Sequence, residues 1–146
     1  MAASVAEGAR VEGVEVELKK VGETKAEEML LADGIIVGSP VYYGLPAAEI
    51  KALFDESVKF HGKLAGKVGG AFASSGNVGG GNETTILAVI QMMLIHGMIV
   101  QGNFAGDHYG PVSVKAPDER ALQQCEALGR RVAQLAVRIS RGGESG

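Results

Sequence analysis

The stretch Gly34-Ile-Ile-Val-Gly-Ser-Pro-Val-Tyr-Tyr-Gly44 decides the fold. Its first five residues form a continuous apolar run without polar alternation, which is typical of a central parallel strand covered on both faces. The run then passes through Ser39-Pro40 into a segment rich in turn-forming residues. A helix is predicted to follow, with Pro46 in its first turn. Its apolar stripe has helical spacing and consists of Ile50, Leu53, Phe54 and Val58.

The same order of elements returns further along the chain. Small and apolar residues from Lys67 to Ala73 predict a second strand, which leads into the loop Ser74-Ser-Gly-Asn-Val-Gly-Gly-Gly81. Asn82 is a suitable N-cap for the next helix, whose apolar residues continue to His96-Gly97. The alternation predicts one α/β domain over residues 1–146, a doubly wound parallel sheet with helices on both faces.

The remaining elements are predicted from shorter patterns. Met1 to Arg10 has the composition of the last turns of a helix, and Val14 to Leu18 alternates apolar and charged residues like an edge strand. Thr24 and Glu27 suggest a capping box for a short helix over residues 25–31. Short strands are expected at residues 98–100 and 112–114. Pro117 opens a closing helix, and residues 142–146 are expected to fray.

Composition excludes several classes of function. Charged residues make up 21% of the 146 residues and the formal net charge is −3, so no basic surface for nucleic acid is expected. No apolar run approaches the ~20 residues of a membrane span, and the first ten residues lack the pattern of a secretory signal. With one cysteine, no intramolecular disulfide is possible, which fits a cytoplasmic protein.

Other reactive residues have simpler interpretations. Cys125 lies on the apolar stripe of the last helix and is expected to be a core residue, and His61 and His96 are expected to cap element ends. No spacing of His, Cys, Asp and Glu indicates a metal site. The run Gly79-Gly-Gly81 is not followed by the lysine of a Walker loop. Four arginines of the last helix are expected to form a solvated face: Arg130, Arg131, Arg138 and Arg141.

Both strand-to-loop transitions place serine, glycine and aromatic residues where a parallel α/β sheet binds ligands, at the carboxyl ends of its strands. We call residues 39–44 the first loop and residues 74–81 the second loop. Glycine-rich backbone can approach the polar edges of a flat heterocycle closely, and a tyrosine can cover its face. Each loop taken alone is also compatible with an ordinary turn.

The loops together resemble a known family. Gly38 to Gly44 is similar to the first flavin-ring loop of flavodoxin-like proteins and Ser74 to Gly81 to the second, and Gly106-Asp-His-Tyr-Gly110 resembles a segment of WrbA-type flavoproteins. The resemblance implies FMN as cofactor. The cofactor-binding residues it implies are Ser39, Pro40, Val41, Tyr42, Tyr43, Gly44, Ser74, Ser75, Gly76, Asn77, Gly79, Gly80, His108 and Tyr109.

Roles follow from the chemistry of FMN. Tyr42 or Tyr43 suits stacking on the ring, while Ser74, Gly76 and Asn77 suit its pyrimidine edge. His108 and Tyr109 either lie over the flavin or belong to a surface loop. The resemblance implies an electron carrier with a redox partner protein, or an oxidoreductase that passes electrons from NAD(P)H to a quinone-like acceptor. It also implies a homo-oligomer, and it identifies no catalytic residue.

One part of the family pattern has no match. Members begin with an apolar strand and a Ser/Thr-rich phosphate loop, whereas Met1 to Ala9 aligns inside the helix that follows them. The strand between the Val14 and Ile35 strands is therefore expected to be missing. We interpret this as truncation at a gene start or as a fragment, with a sheet that closes up or borrows a strand as the alternative. We expect weak FMN binding, or a cofactor-free module that acts through protein contacts.

Overall fold

The computed structural model describes residues 1–143. Four α-helices and five strands alternate along most of the chain, with short 3-10 helices at Val21–Glu23, Ala26–Leu31 and Ser57–Phe60. In chain order the main elements are α1 (Ala2–Arg10), β1 (Gly34–Tyr42), β2 (Leu45–Pro46), α2 (Ala48–Glu56), β3 (Val68–Ser75), α3 (Asn82–Ile95), β4 (Ile99–Val100), β5 (Val112–Val114) and α4 (Glu119–Gly143). The α/β class predicted from the sequence is confirmed.

The sheet is mixed, because one edge strand is antiparallel. Strands β1 and β3 run parallel, from the pair Gly34 and Val68 to the pair Pro40 and Ser74. On the far side of β3, both β4 and β5 pair with it in parallel at different heights, so together they occupy one strand position. The antiparallel β2 pairs with the end of β1. The sequence did not predict this short return strand.

Two apolar clusters cover the two faces of the sheet. One contains buried residues of α2 and α3, among them Ile50 and Ile86. The other lies under α1 and α4 and includes Val5 and Leu128. Helices α1 and α4 approach closely because Gly129 faces the backbone of Val5, where a Cβ atom would collide with the Val5 carbonyl oxygen. The sheet is thus covered on both faces, as a doubly wound fold requires.

The expected edge strand over Val14 to Leu18 is wrong. This segment forms no strand, and it pairs with none of the described strands, so it lacks the ladder hydrogen bonds that a strand requires. Strand β1 also lacks a partner on one side, since its outer edge from Gly34 to Pro40 pairs with no described strand. The three apolar residues Ile35 to Val37 are therefore only partly buried, whereas Val68 and Ala71 on β3 are buried. The described sheet has not closed up across this position.

Three predicted helix starts differ from the structure. Thr24 caps no helix, because its hydroxyl donates to the carbonyl of Lys20, and residues 26–31 form a 3-10 helix instead. Pro46 lies in β2, and α2 begins two residues later. Gly81, with φ of 97°, is the N-cap of α3, so Asn82 is the first helical residue. These differences go with the hydrogen bond of Thr24, the strand pairing of Pro46 and the positive φ of Gly81, which propensity alone does not show.

Several side chains also depart from the predicted pattern. Val58 belongs to a 3-10 helix and is exposed rather than part of the α2 stripe. Arg131 is half-buried, and burial lowers the pKa of its guanidinium, so it is not part of a solvated face. Cys125 is buried as predicted, and burial raises the pKa of its thiol to about 11. Of the expected frayed tail, Gly142 and Gly143 belong to α4, and residues 144–146 lie outside the described residues.

Candidate functional site

The first and second loops lie side by side at one end of the sheet. Strand pairing brings this about, because Pro40 and Ser74 are direct partners in the β1–β3 ladder. Beyond the strands the loops meet again, since a Cβ atom built on Gly81 would lie 3.1 Å from the Cα atom of Gly44. The arrangement places both loops at the carboxyl ends of adjacent parallel strands, where α/β sheets bind ligands.

The first loop is a tight hairpin turn. Val41 pairs with Pro46 and Tyr42 with Leu45, which leaves Tyr43 and Gly44 as the two turn residues. Both have positive φ angles, 50° for Tyr43 and 80° for Gly44, as in a type I′ turn. A tyrosine rarely adopts this conformation, which costs roughly 1–2 kcal/mol for a residue with a Cβ atom. The strained turn leaves the Tyr43 side chain fully exposed and Tyr42 61% exposed.

The Ser39 hydroxyl forms its hydrogen bonds within the protein. Its hydroxyl donates to the carbonyl of Pro40 at 2.6 Å and accepts the backbone N–H of Ala47 at 3.0 Å. Its side chain is buried. Ser39 therefore connects the end of β1 to the residue before α2 and fixes the direction of the first loop. A direct contact with a ligand is the weaker interpretation of this serine, although it was a candidate cofactor residue.

Hydrogen bonds within the second loop fix its course. The buried Ser75 hydroxyl donates to the carbonyl of Asn77 at 2.8 Å, and the N–H of Gly80 donates to the same carbonyl at 3.1 Å. A Cβ atom on Gly80 would come within 2.8 Å of that oxygen, so the turn requires glycine there. Gly76 and Gly79 have no atom within 4 Å of a built Cβ position, so their backbone is open to a ligand.

A cavity of about 350 Å³ lies between the strand ends and the start of α1. Three predicted residues line it: Ser39, Pro40 and Ser74. The other lining residues were not predicted from the sequence. They are Met1, Ala2, Gly38, Phe72, Ser113, Lys115 and Pro117.

Lys115 gives this cavity a positive charge, because it carries the one charged side chain among the residues that line it. It follows β5, and its N–H donates to the carbonyl of Ser75 at 2.7 Å, which anchors it beside the second loop. Its φ angle of 60° is unusual for a residue with a side chain. The cavity therefore suits an anionic group.

The third loop, residues 101–111, stands beside the second loop because β5 pairs with the end of β3. Asp107 holds it in place: one carboxylate oxygen accepts the N–H of Val112 at 2.9 Å and the other accepts from Arg120 at 2.8 Å. Arg120 also donates to the carbonyl of Val112, and the Asp107 contact raises the pKa of its guanidinium. Sequence patterns did not indicate this pair, because its members lie 13 positions apart.

His108 and Tyr109 lie on this third loop and are exposed. The Nδ1 atom of His108 is 2.7 Å from the carbonyl oxygen of Asn103, so this ring nitrogen holds the loop in place. The structure therefore places both residues on the loop neighbouring the second loop, and neither lines the cavity between the strand ends. Their position is compatible with both sequence interpretations.

Residues 1–143 contain no group of three or more His, Cys, Asp and Glu side chains close enough to hold a metal ion. None of the described helices is both long and apolar enough to cross a membrane.

Comparison with known proteins adds an independent line of evidence. The family model described as NADPH-dependent FMN reductase matches residues 12–110. A flavodoxin of Aquifex aeolicus is 42% identical, and the alignment covers 92% of this chain and 77% of that protein. An NAD(P)H dehydrogenase (quinone) of Archaeoglobus fulgidus is 32% identical over 95% of this chain and 91% of the other.

Solved structures show the same architecture. A flavodoxin from the domain Archaea has a TM-score of 0.75 at 26% identity, with 92% of this chain and 87% of that chain covered. A WrbA-like flavodoxin from Agrobacterium tumefaciens has a TM-score of 0.73 at 28% identity, with coverage of 93% and 87%.

Proposed function

Because the chain belongs to the flavodoxin-like NADPH-dependent FMN reductase family, we propose that it binds FMN between its first and second loops and transfers electrons through it. One observation carries the proposal. Two glycine-containing loops from adjacent strand ends approach each other at Gly44 and Gly81, beside a cavity with a single lysine. When bound, FMN supplies one- and two-electron redox chemistry, and the protein supplies position and electrostatics.

The residues of the two loops fit the ring of FMN. Tyr42 and Tyr43 are exposed aromatic side chains on a rigid turn, so either can cover a ring face without first leaving a packed position. Open backbone at Gly76 and Gly79 allows N–H groups to reach the polar edge of the ring. Hydrogen bonds from such groups, from Ser74 and from Asn77 would tune the reduction potential.

The phosphate of FMN would lie near Lys115. Lys115 is the one cationic side chain that lines this cavity, which is a modest set of donors for a dianion. We therefore expect a dissociation constant in the micromolar range or weaker. His108 and Tyr109 are proposed to border the exposed face of the ring, where a second redox molecule would approach.

Titration of the purified, flavin-free chain with FMN tests the proposal. Quenching of flavin fluorescence should saturate with one FMN per chain. Saturation below one micromolar would contradict the expected weakness of the phosphate site. No saturation up to about one millimolar would contradict FMN binding by this chain.

Two redox roles share this site, and a kinetic experiment distinguishes them. An NAD(P)H-dependent oxidoreductase requires space for a nicotinamide above the ring, whereas an electron carrier requires only an exposed ring edge. Oxidation of NADPH or NADH by the FMN-loaded protein in the presence of a quinone would support the oxidoreductase. Reduction by dithionite but not by NAD(P)H would support the carrier with a protein partner.

We also propose that the protein self-associates.

A cofactor-free interaction module is the second candidate function. The observation in its favour is the outer edge of β1, which has no described strand partner from Gly34 to Pro40. Exposed backbone N–H and C=O groups of an edge are a template for pairing with another chain. Protein isolated without yellow colour, together with a failed FMN titration, would favour this function.

A further inference from the structure

A backbone hydrogen bond closes the turn that carries His108 and Tyr109 on the third loop. The N–H of Gly110 donates to the carbonyl of Asp107 at 3.2 Å. This is the hydrogen bond of a four-residue turn, and His108 and Tyr109 are its two central residues. Gly110 is buried, and a Cβ atom on it would collide with the carbonyl oxygen of Ala71. The end of the turn is therefore fixed against β3.

An ion pair fixes the start of the same turn. The Asp107 carboxylate accepts hydrogen bonds from Arg120 and from the N–H of Val112, and Arg120 also donates to the carbonyl of Val112. These three residues form a closed ring of hydrogen bonds that joins the turn to β5 and to the first turn of α4. The Asp107 side chain is only 17% exposed, so solvent screens its attraction to Arg120 incompletely.

The position of the turn follows from this anchor. Val112 pairs with Ala73 on β3, and the second loop begins at the next residue, Ser74. Asp107 is therefore held to a residue that stands beside the start of the second loop. The two central residues of the turn are exposed. They project beside the second loop, from which a second redox molecule would reach a ring bound there.

The other half of the third loop is also tied to α4. The side-chain amide of Asn103 donates to Gln124 at 3.2 Å, and its backbone N–H donates to the carbonyl of His108 at 3.0 Å. The Asn103 carbonyl in turn contacts the His108 ring. The ring of His108 is thus held by its own loop, and the loop is held by two side chains of α4, Arg120 and Gln124.

The core of the fold is held without this ion pair. Helix α4 packs against the sheet through buried residues such as Cys125 and Leu128, and β5 is held by its ladder with β3. Asp107 is the one charged residue of the third loop, and Arg120 neutralises it. Because the ion pair acts on an exposed turn beside the second loop, it indicates a role in the position of that turn.

We propose that Asp107 and Arg120 are positioning residues for the second redox molecule. Their ion pair keeps the turn with His108 and Tyr109 at the border of the FMN site. It thereby sets the affinity for the electron donor or acceptor and leaves the affinity for FMN unchanged. The inference rests on the proposed function, since it requires FMN between the first and second loops. Both residues act through the turn, and neither contacts the reacting atoms.

Re-oxidation of the photoreduced, FMN-loaded protein by menadione tests the proposal for either redox role. The reaction is followed by stopped-flow absorbance, with protein in excess over FMN so that little free flavin remains. In Arg120→Gln the menadione concentration at half-saturation should rise about ten-fold, because the turn is misplaced. The limiting rate and the dissociation constant of FMN should stay within about two-fold of the wild-type values, since the ring and its loops are untouched.

Two further variants show whether the pair acts as a unit. Arg120→Lys, which keeps the charge and a donor to Asp107, should restore most of the affinity for menadione. The double variant Asp107→Asn/Arg120→Gln should be no weaker than the weaker single variant, because the two substitutions remove the same interaction.

Arg130→Gln is the matched control and should change none of these constants. Arg130 also lies on α4 and is paired with a carboxylate, that of Glu12, and its side chain is 49% exposed against 51% for Arg120. Circular dichroism checks that all variants are folded.

Hydrogen exchange of the flavin-free protein separates this inference from the proposed function. The amide N–H groups of Asn103 and Gly110 should exchange faster in Arg120→Gln but not in Arg130→Gln, whether or not FMN binds. Unchanged exchange in Arg120→Gln would overturn the hold of the ion pair on the turn. Faster exchange with an unchanged half-saturation concentration of menadione would overturn the positioning role alone. A wild-type chain that does not bind FMN would overturn the proposed function and this inference with it.

Discussion

Gly81 lies so close to Gly44 that a methyl group on Gly81 would come within 3.1 Å of the Gly44 Cα atom. One glycine precedes α3 and the other ends the hairpin turn after β1, so this contact fixes the separation of the two loops. Both residues have positive φ angles. The contact thus requires glycine for its conformation and also for its closeness.

Substitution of Gly81 by alanine should weaken FMN binding. The added methyl group would push the two loops apart, and a change of a few tenths of an ångström suffices to misplace donors to a flat ring. We expect about a ten-fold higher dissociation constant by fluorescence titration. Gly13→Ala is the control, because Gly13 also has positive φ but no atom within 4 Å of the built Cβ position. Equal losses of FMN affinity in both variants would show that the contact is unimportant.

Tyr43 is expected to combine a cost in stability with a role in binding. It occupies the first turn position of a type I′ turn at a φ angle of 50°, where asparagine is favoured. Tyr43→Asn should therefore raise the free energy of unfolding, by roughly 0.5–1 kcal/mol. The same change should weaken FMN binding, because an exposed aromatic ring is lost.

Urea denaturation and FMN titration of the same protein samples check this prediction. Tyr42→Asn serves for comparison, because Tyr42 lies in β1 and its substitution should relieve no turn strain. A variant at position 43 that is less stable than the wild type would contradict the strain argument. Unchanged FMN affinity of both variants would exclude tyrosine from the ring face.

The sequence predicted the parallel core of this fold because β1 and β3 are long apolar runs that each lead into a helix. It could not predict β2, since a two-residue strand has no periodicity and depends on the turn at Tyr43 and Gly44. Val14 to Leu18 shows the converse, because an alternating pattern forms a strand only when a neighbour supplies hydrogen bonds.

The candidate site was predicted to the extent that its residues lie in the two glycine-rich loops. Lys115 escaped prediction because the pairing of β5 with β3, and not any motif, brings it to the cavity. Ser39 was predicted to bind the cofactor because of its position in the first loop. Its two hydrogen bonds, to Pro40 and Ala47, could not be predicted from the local sequence. Side-chain roles of this kind depend on tertiary contacts.

Lys115 should contribute to binding through the phosphate alone. Lys115→Gln removes the one charged side chain among the lining residues of the cavity while keeping a side chain of similar length. Its affinity for FMN should fall about ten-fold, since a charge-assisted hydrogen bond is worth about 1.5–3 kcal/mol and this site is partly open to solvent.

Riboflavin, which has the ring but not the phosphate, is the control ligand for this variant. Its affinity should be the same for wild type and Lys115→Gln, and the FMN affinity of the wild type should decrease with added salt. Lys63→Gln provides a control for net charge, because Lys63 is exposed and does not line this cavity. Equal weakening of riboflavin and FMN would place Lys115 at the ring instead.

His96 should make stability depend on pH. The residue is 6% exposed, and its Nε2 atom lies 2.7 Å from the Ser57 hydroxyl oxygen. That hydroxyl donates its single proton to the Phe54 carbonyl at 2.6 Å, so Nε2 carries the proton in the neutral ring. The buried Nδ1 atom has no partner among the described residues. Burial, and secondarily the nearby His61, lower the pKa of His96.

The direction of the effect follows from this lowered pKa. Below the ordinary histidine pKa of about 6.5 the unfolded chain takes up a proton that the folded chain resists, so stability falls as pH falls from 7 towards the folded pKa. The slope from one proton is at most about 1.4 kcal/mol per pH unit.

Urea denaturation at pH 7, 6 and 5 should show this loss of stability in the wild type. His96→Gln, whose amide can still donate to Ser57, should lack that part of the loss, and His108→Gln on the exposed third loop should retain it. An unchanged pH dependence in His96→Gln would show that His96 is protonated as readily in the folded chain as in the unfolded one.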